Sequence, residues 1–122
     1  MRKLIDFDYF LDKLMGFLNT IMTIYYEKAP NEANYPYGVV PDLTFSPLDY
    51  GYQCLFDIDI HINDSSNSNV EQLCDNLRKN LDGYYYKDDK VGFHVGFNDQ
   101  YLGKMTEQDS SMRRITFIAR IF

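Results

Sequence analysis

A chain of 122 residues, 45% hydrophobic and 16% aromatic, has room for one buried core and too little for two, and it lies far from the composition of a disordered chain. Eighteen acids against twelve bases leave a net charge of −6, which argues against binding a phosphate backbone, since that needs clustered Lys and Arg to release counterions. Neither of the two cysteines, Cys54 and Cys74, sits in a CxxC pattern or near a His-rich spacing. They are read as buried thiols rather than a disulfide or zinc ligands, in a single domain spanning 1–122.

Taken in chain order, the first signal is the three-and-four spacing of Phe7, Phe10, Leu11, Leu14, Phe17, Leu18, Ile21, Met22 and Tyr25. It predicts a helix running from Leu4 to Tyr26 and ending before Pro30. Met15 and Ile24 widen its apolar stripe beyond what one small sheet requires, so part of it is expected to face another subunit. Asp6, Asp8, Asp12, Lys13 and Asn19 interrupt the same segment, which therefore reads neither as a signal peptide nor as a membrane span. A reduced, cytosolic setting is expected.

After a polar loop at Asn31–Asn34, Tyr35–Leu43 reads as a strand marked by Pro36 and Pro41, hence an edge or bulged strand. Thr44–Asp49, with Pro47, reads as a turn. Tyr50–Ile62 is the clearest strand: Tyr52, Cys54, Phe56, Ile58, Ile60 and Ile62 alternate with Gln53, Leu55, Asp57, Asp59 and His61. Beyond the connector Asn63–Asn69, Ser68 and Glu71 form a capping box for a second helix that carries Val70, Leu73, Cys74, Leu77 and Leu81 and stops at Asp82-Gly83. Then come Tyr84–Tyr86, a turn at Lys87–Lys90, a strand over Val91–Phe97, a long polar loop through about Ser111 and a last strand over Met112–Phe122. The order implies an α+β fold, a single antiparallel or mixed sheet with two helices packed on one face.

Asp57, Asp59 and His61 fall on one strand face, where two carboxylates and an imidazole could hold a divalent cation for a hydrolase. A plain solvated face is the simpler reading, because no further acid or His completes a site at a recognisable spacing. Asp42, Asp49, Asp57, Asp59 and Asp64 also lie in a stretch without Lys or Arg, which suggests an acidic surface. His94 reads as a sheet histidine. The serines lack a nucleophile elbow and the glycines lack a phosphate-loop pattern. Tyr35, Tyr37, Tyr50, Tyr84–Tyr86 and Tyr101 could stack on bases or sugars, but without interleaved Lys or Arg they favour protein contact.

The apolar first helix ending in Tyr25-Tyr26-Glu27-Lys28-Ala29-Pro30, the string Tyr35-Pro36-Tyr37-Gly38-Val39-Val40, the strand Tyr52–Ile62, the helix from Glu71 to Leu81 and the closing Arg113-Arg114-Ile115-Thr116-Phe117 follow one another in a familiar order. In these strings and their order the chain resembles the tail terminator, or tail completion, proteins of long-tailed bacteriophages and prophages. The resemblance implies a structural protein of the virion tail or neck, assembled in the bacterial host cytoplasm, that is not an enzyme and uses no cofactor. It implies a homo-hexameric ring that caps the tail tube, stops its growth and joins it to the head–tail connector, with no sequence-specific nucleic acid and no membrane among its partners. Under it, Tyr35, Tyr37, Lys87, Asp88, Asp89, Lys90, Tyr101 and Lys104 would contact a neighbouring subunit, the tube protein or the connector, while Asp57 and Asp59 would face the lumen. Other neck or minor capsid completion proteins, a monomeric protein-binding adaptor and a small metal-dependent hydrolase are the alternatives.

Overall fold

The computed structural model describes residues 5–62, 70–97 and 112–122. Its elements are α1 (Phe7–Leu18), β1 (Ile24–Tyr26), β2 (Tyr37–Val40), β3 (Leu43–Leu48), β4 (Gly51–His61), α2 (Val70–Leu81), β5 (Tyr85–Lys87), β6 (Gly92–Phe97) and β7 (Met112–Ile121). Among the described residues these make an α+β fold with a mixed, curled sheet of seven strands in the order β1-β2-β4-β7-β6-β5, with β3 also paired to β4. Among the described residues only the β1–β2 pair is parallel.

The first helix is shorter than its apolar spacing predicts. Asp6 caps its start, the side chain accepting from the Tyr9 amide at 3.1 Å. At its end the Asn19 side chain donates to the carbonyls of Met15 (2.9 Å) and Ile24 (3.0 Å), and its Oδ1 accepts from the Ile24 amide at 3.0 Å. One amide thus satisfies the end of α1 and holds the start of β1, so the chain doubles back after Leu18. Thr20, Ile21, Thr23 and Ile24, β-branched and costly in a helix, then lead into a strand. Ile24 is buried there, which is why the apolar spacing ran on past the helix end.

The stretch read as one strand and a turn is instead two strands. Pro41 and Asp42 interrupt it, and β2 and β3 lie one after the other along the same side of β4. Pro47 stands inside β3, opposite Tyr52, in a strand paired along one side among the described residues, where a missing N–H can be tolerated. The turn is the two-residue loop Asp49-Tyr50, closed by Leu48 against Gly51. Gly51 has φ 154°, and a Cβ there would lie 2.1 Å from the Ile121 carbonyl oxygen, so no other residue fits.

β4 behaves as its alternation predicts. Cys54, Phe56, Ile58 and Ile60 point into the core, opposite Ala119, Phe117, Ile115 and Arg113 of β7. Phe10, Leu14 and Leu18 of α1 and Cys74, Leu77 and Leu81 of α2 belong to the same buried cluster, with Phe93 and Val95 of β6. Phe10 meets Phe93 edge-on at 5.0 Å, and Phe17 stacks flat on Tyr84 at 3.6 Å. α2 ends at Leu81 as predicted, with Gly83 at φ 85° beyond it. Ser68 of the expected capping box lies outside the described residues, and Glu71 accepts from Arg113 Nε and Nη2 at 2.9 and 2.7 Å.

Candidate functional site

The alternate register positions of β4 carry Gln53, Leu55, Asp57, Asp59 and His61, opposite Arg120, Ile118, Thr116, Arg114 and Met112 of β7. The three residues singled out as a possible cation site therefore do share one face, and β7 brings two further groups onto it. Arg114 Nε donates to Asp59 Oδ1 at 2.6 Å and Nη2 to Oδ2 at 2.9 Å, the two-pronged fit of a guanidinium on a carboxylate. The Thr116 hydroxyl donates to Asp57, whose other oxygen lies 3.7 Å from Arg114 Nε. The hydrogen bond to Asp59 is the main reason that the Arg114 guanidinium is held above its ordinary pKa, against burial, with the charges of Asp59, Asp57 and Asp42 adding to it.

Asp59 and Thr116 are buried although they do not point into the core. A carboxylate out of water needs donors and an opposite charge, and Arg114 supplies one donor to each oxygen along with its charge. Chemically the arrangement is an engaged ion pair: a base or cation ligand made from either carboxylate would compete with Arg114 or Thr116. Among the described residues no group of three or more His, Cys, Asp and Glu side chains is placed to share one metal ion.

His61, beside this pair, stacks on Tyr37 at 5.0 Å with ring planes 19° apart. Tyr37 also meets Tyr25 edge-on at 5.9 Å and Tyr35 at 5.4 Å. Burial, with Tyr35 beside it, raises the Tyr37 phenol above its ordinary pKa, so it stays a neutral hydrogen-bonding group. Tyr35 stays exposed at the outer end of this row.

The expected turn at Lys87–Lys90 starts one residue later, since Lys87 closes β5 against Gly92, and its residues divide. Lys87, Asp89 and Lys90 are exposed, whereas the Asp88 carboxylate turns back onto the molecule. It accepts from the hydroxyls of Tyr9 and Tyr86 and from the amides of Lys90 and Val91. The two phenols, then the amides, hold Asp88 well below the usual carboxylate range, and the same hydrogen bonds push Tyr9 and Tyr86 upward. Of the Tyr84–Tyr86 run only Tyr85 is exposed, since Tyr84 packs on Phe17 and Tyr86 reaches Asp88. Tyr50 is 80% exposed at the β3–β4 turn. His94 is exposed on β6, in register with Arg120 and Tyr85. Tyr101 and Lys104, and the loop from Asn98 to Ser111 that holds them, lie outside the described residues. Both thiols are free and buried; burial pushes Cys54 up to about 12 and Cys74 up to about 11, so neither is a ready nucleophile.

Sequence reasoning missed Arg114, Thr116 and Tyr9. Ile115, Phe117, Ala119 and Ile121 recur at every second position, which puts Arg114 and Thr116 on the other face of β7, but only the β4–β7 register makes Arg114 the partner of Asp59, 55 residues away. Nothing in the local sequence ties Tyr9 to Asp88. Compared with known protein families, characterised proteins and solved structures, the chain matches none of them.

Proposed function

We propose that the protein is a structural subunit of the tail terminator kind, working by self-association into a ring and without turnover. The observation that supports this reading is the placement of exposed aromatic side chains towards both lateral ends of the sheet. Tyr35 stands out beside β2 and Tyr85 on β5, towards opposite ends of the strand order, while exposed Leu48, Tyr50 and Phe122 lie together where the β3–β4 turn meets the end of β7. Two different sticky ends on one subunit suit a head-to-tail contact, which closes into a ring when the rotation allows it. In this reading both helices cover the same sheet face, in keeping with their shared buried cluster, and leave the face of Asp57, Asp59 and Arg114 to the ring's passage. Three carboxylates, counting Asp42, against the two guanidiniums of Arg114 and Arg120 would leave that passage slightly negative, which disfavours adhesion of DNA. Tyr35, Tyr37, Lys87, Asp89 and Lys90 would then meet the tail tube protein or the connector.

The deciding experiment is the mass of the purified chain by light scattering over a concentration series, alone and with purified tail tubes, with negative-stain imaging of any large species. A closed ring, free or capping tubes that then stop growing, is the expected result. A monomer at every concentration that leaves tube growth unchanged sinks the proposal.

A further inference from the structure

Asp88 gathers three parts of the chain onto one carboxylate and gives each oxygen two donors. Oδ1 takes the amides of Lys90 (2.8 Å) and Val91 (2.9 Å) from its own turn. Oδ2 takes the hydroxyls of Tyr86 (2.7 Å), from β5, and of Tyr9, from the first turn of α1. An ionised carboxylate has about four acceptor positions, so this one is filled. Two ammonium groups flank the same ring, Lys90 Nζ at 5.0 Å and Lys13 Nζ at 5.2 Å from the Tyr9 centroid. Both are at cation–π range of that ring. Behind the carboxylate, Tyr86 lies 5.5 Å from Phe93, and Phe93 meets Phe10, the neighbour of Tyr9.

We infer that this cluster is a coupling clasp: it makes the β5–β6 turn and the first turns of α1 open and close as one unit, so that a load on the exposed side of the turn is transmitted to the helix. The physical path is short. Pulling Lys87, Asp89 or Lys90 outward draws on the Lys90 and Val91 amides at Oδ1, and the rigid carboxylate carries the displacement to the two phenols at Oδ2. Because the donors on one oxygen come from the turn and those on the other from α1 and β5, cutting either set releases the other. The inference stands on these contacts alone and is independent of whether the chain forms a ring.

Hydrogen exchange read by mass spectrometry on the full chain tests it, comparing the unmodified protein with Tyr9→Phe, Tyr86→Phe and Asp88→Asn. Tyr9→Phe keeps the ring and removes only a hydroxyl on α1. It is expected to speed exchange of the Lys90 and Val91 amides about tenfold, the size of one charge-assisted hydrogen bond, while β4 and β7 keep their protection. Asp88→Asn is expected to speed exchange in residues 10–13 as well as in the turn. If the turn amides exchange at the original rate in Tyr9→Phe, or if Asp88→Asn acts on Lys90 and Val91 alone, Asp88 is an ordinary turn residue and the clasp is refuted. Should Asp88→Asn unfold the chain, the two Phe variants decide the matter by the same readout.

Discussion

Asp59 and Asp88 each have both carboxylate oxygens occupied, yet Asp59 meets a guanidinium across the middle of the sheet while Asp88 meets two phenols and two amides at its rim. At Asp59, whose side chain is 9% exposed, a charge shut away from water needs an opposite charge, because dipoles alone do not repay the desolvation. At Asp88, closer to solvent, neutral donors suffice and the carboxylate keeps its net charge. Losing a partner therefore has different consequences in the two places. One loss strands a charge inside, and the other loosens a joint.

Removing the guanidinium is the most severe test of that contrast. Arg114→Ala is expected to lower stability by about 2–3 kcal/mol, below the range for fully enclosed pairs because Arg114 itself is half-exposed. Urea unfolding measures it, and a loss under about 0.5 kcal/mol, typical of surface pairs, would show Asp59 to be well hydrated. Arg114→Lys restores the charge without the two-pronged geometry. It should recover part of the deficit and leave about 1–2 kcal/mol, the worth of a charge-assisted hydrogen bond.

Asp88→Asn should cost less than Arg114→Ala, and its cost should depend on pH. The folded protein holds the Asp88 pKa below its unfolded value, so the stabilisation is present above the ordinary carboxylate range near pH 4 and is lost as the pH falls through the lower folded value. Unfolding curves of the two proteins, well separated at pH 7, should draw together below about pH 4. A gap that stays constant down to acid pH would mean that ionisation of Asp88 contributes nothing. Smallest of all in stability is Tyr50→Ser, at a site that is 80% exposed, expected to change unfolding by no more than about 0.5 kcal/mol. The same variant should weaken any self-association seen by light scattering, and an unchanged assembly would remove Tyr50 from the contact.

The contrast also marks how far the residues could be read without the fold. The strand β4 was legible almost to its ends, since Tyr52, Cys54, Phe56, Ile58 and Ile60 recur at every second position, a period of two that a helix does not share. α2 was legible because its apolar spacing and its glycine stop agree. The segment after Leu18 misled for a physical reason: a buried strand and a buried helix face both need apolar side chains, and the decisive signal was the polar bridge of Asn19, which periodicity does not weigh. Pro47 misled in the same way, because a proline reads as a turn until the strand is known to be paired along one side. Of the candidate site, the shared face of Asp57, Asp59 and His61 follows from alternation alone. Its occupation by Arg114 depends on a strand register that only the assembled sheet defines.

That register has a further consequence, for the order in which the molecule is made. The central pairing of the sheet joins Tyr52 to Ile121 and His61 to Met112, so β4 emerges from the ribosome long before β7 exists to cover its side. In the interval Phe56, Ile58 and Ile60 sit in a long strand with one row of amides and carbonyls unfilled, the kind of surface on which nascent chains stick to one another. Such non-local pairing also slows refolding, toward the millisecond-to-second range of sheet-rich domains rather than the microseconds of helical ones. The strand that is simplest to recognise in the sequence is thus the one that waits longest for its partner.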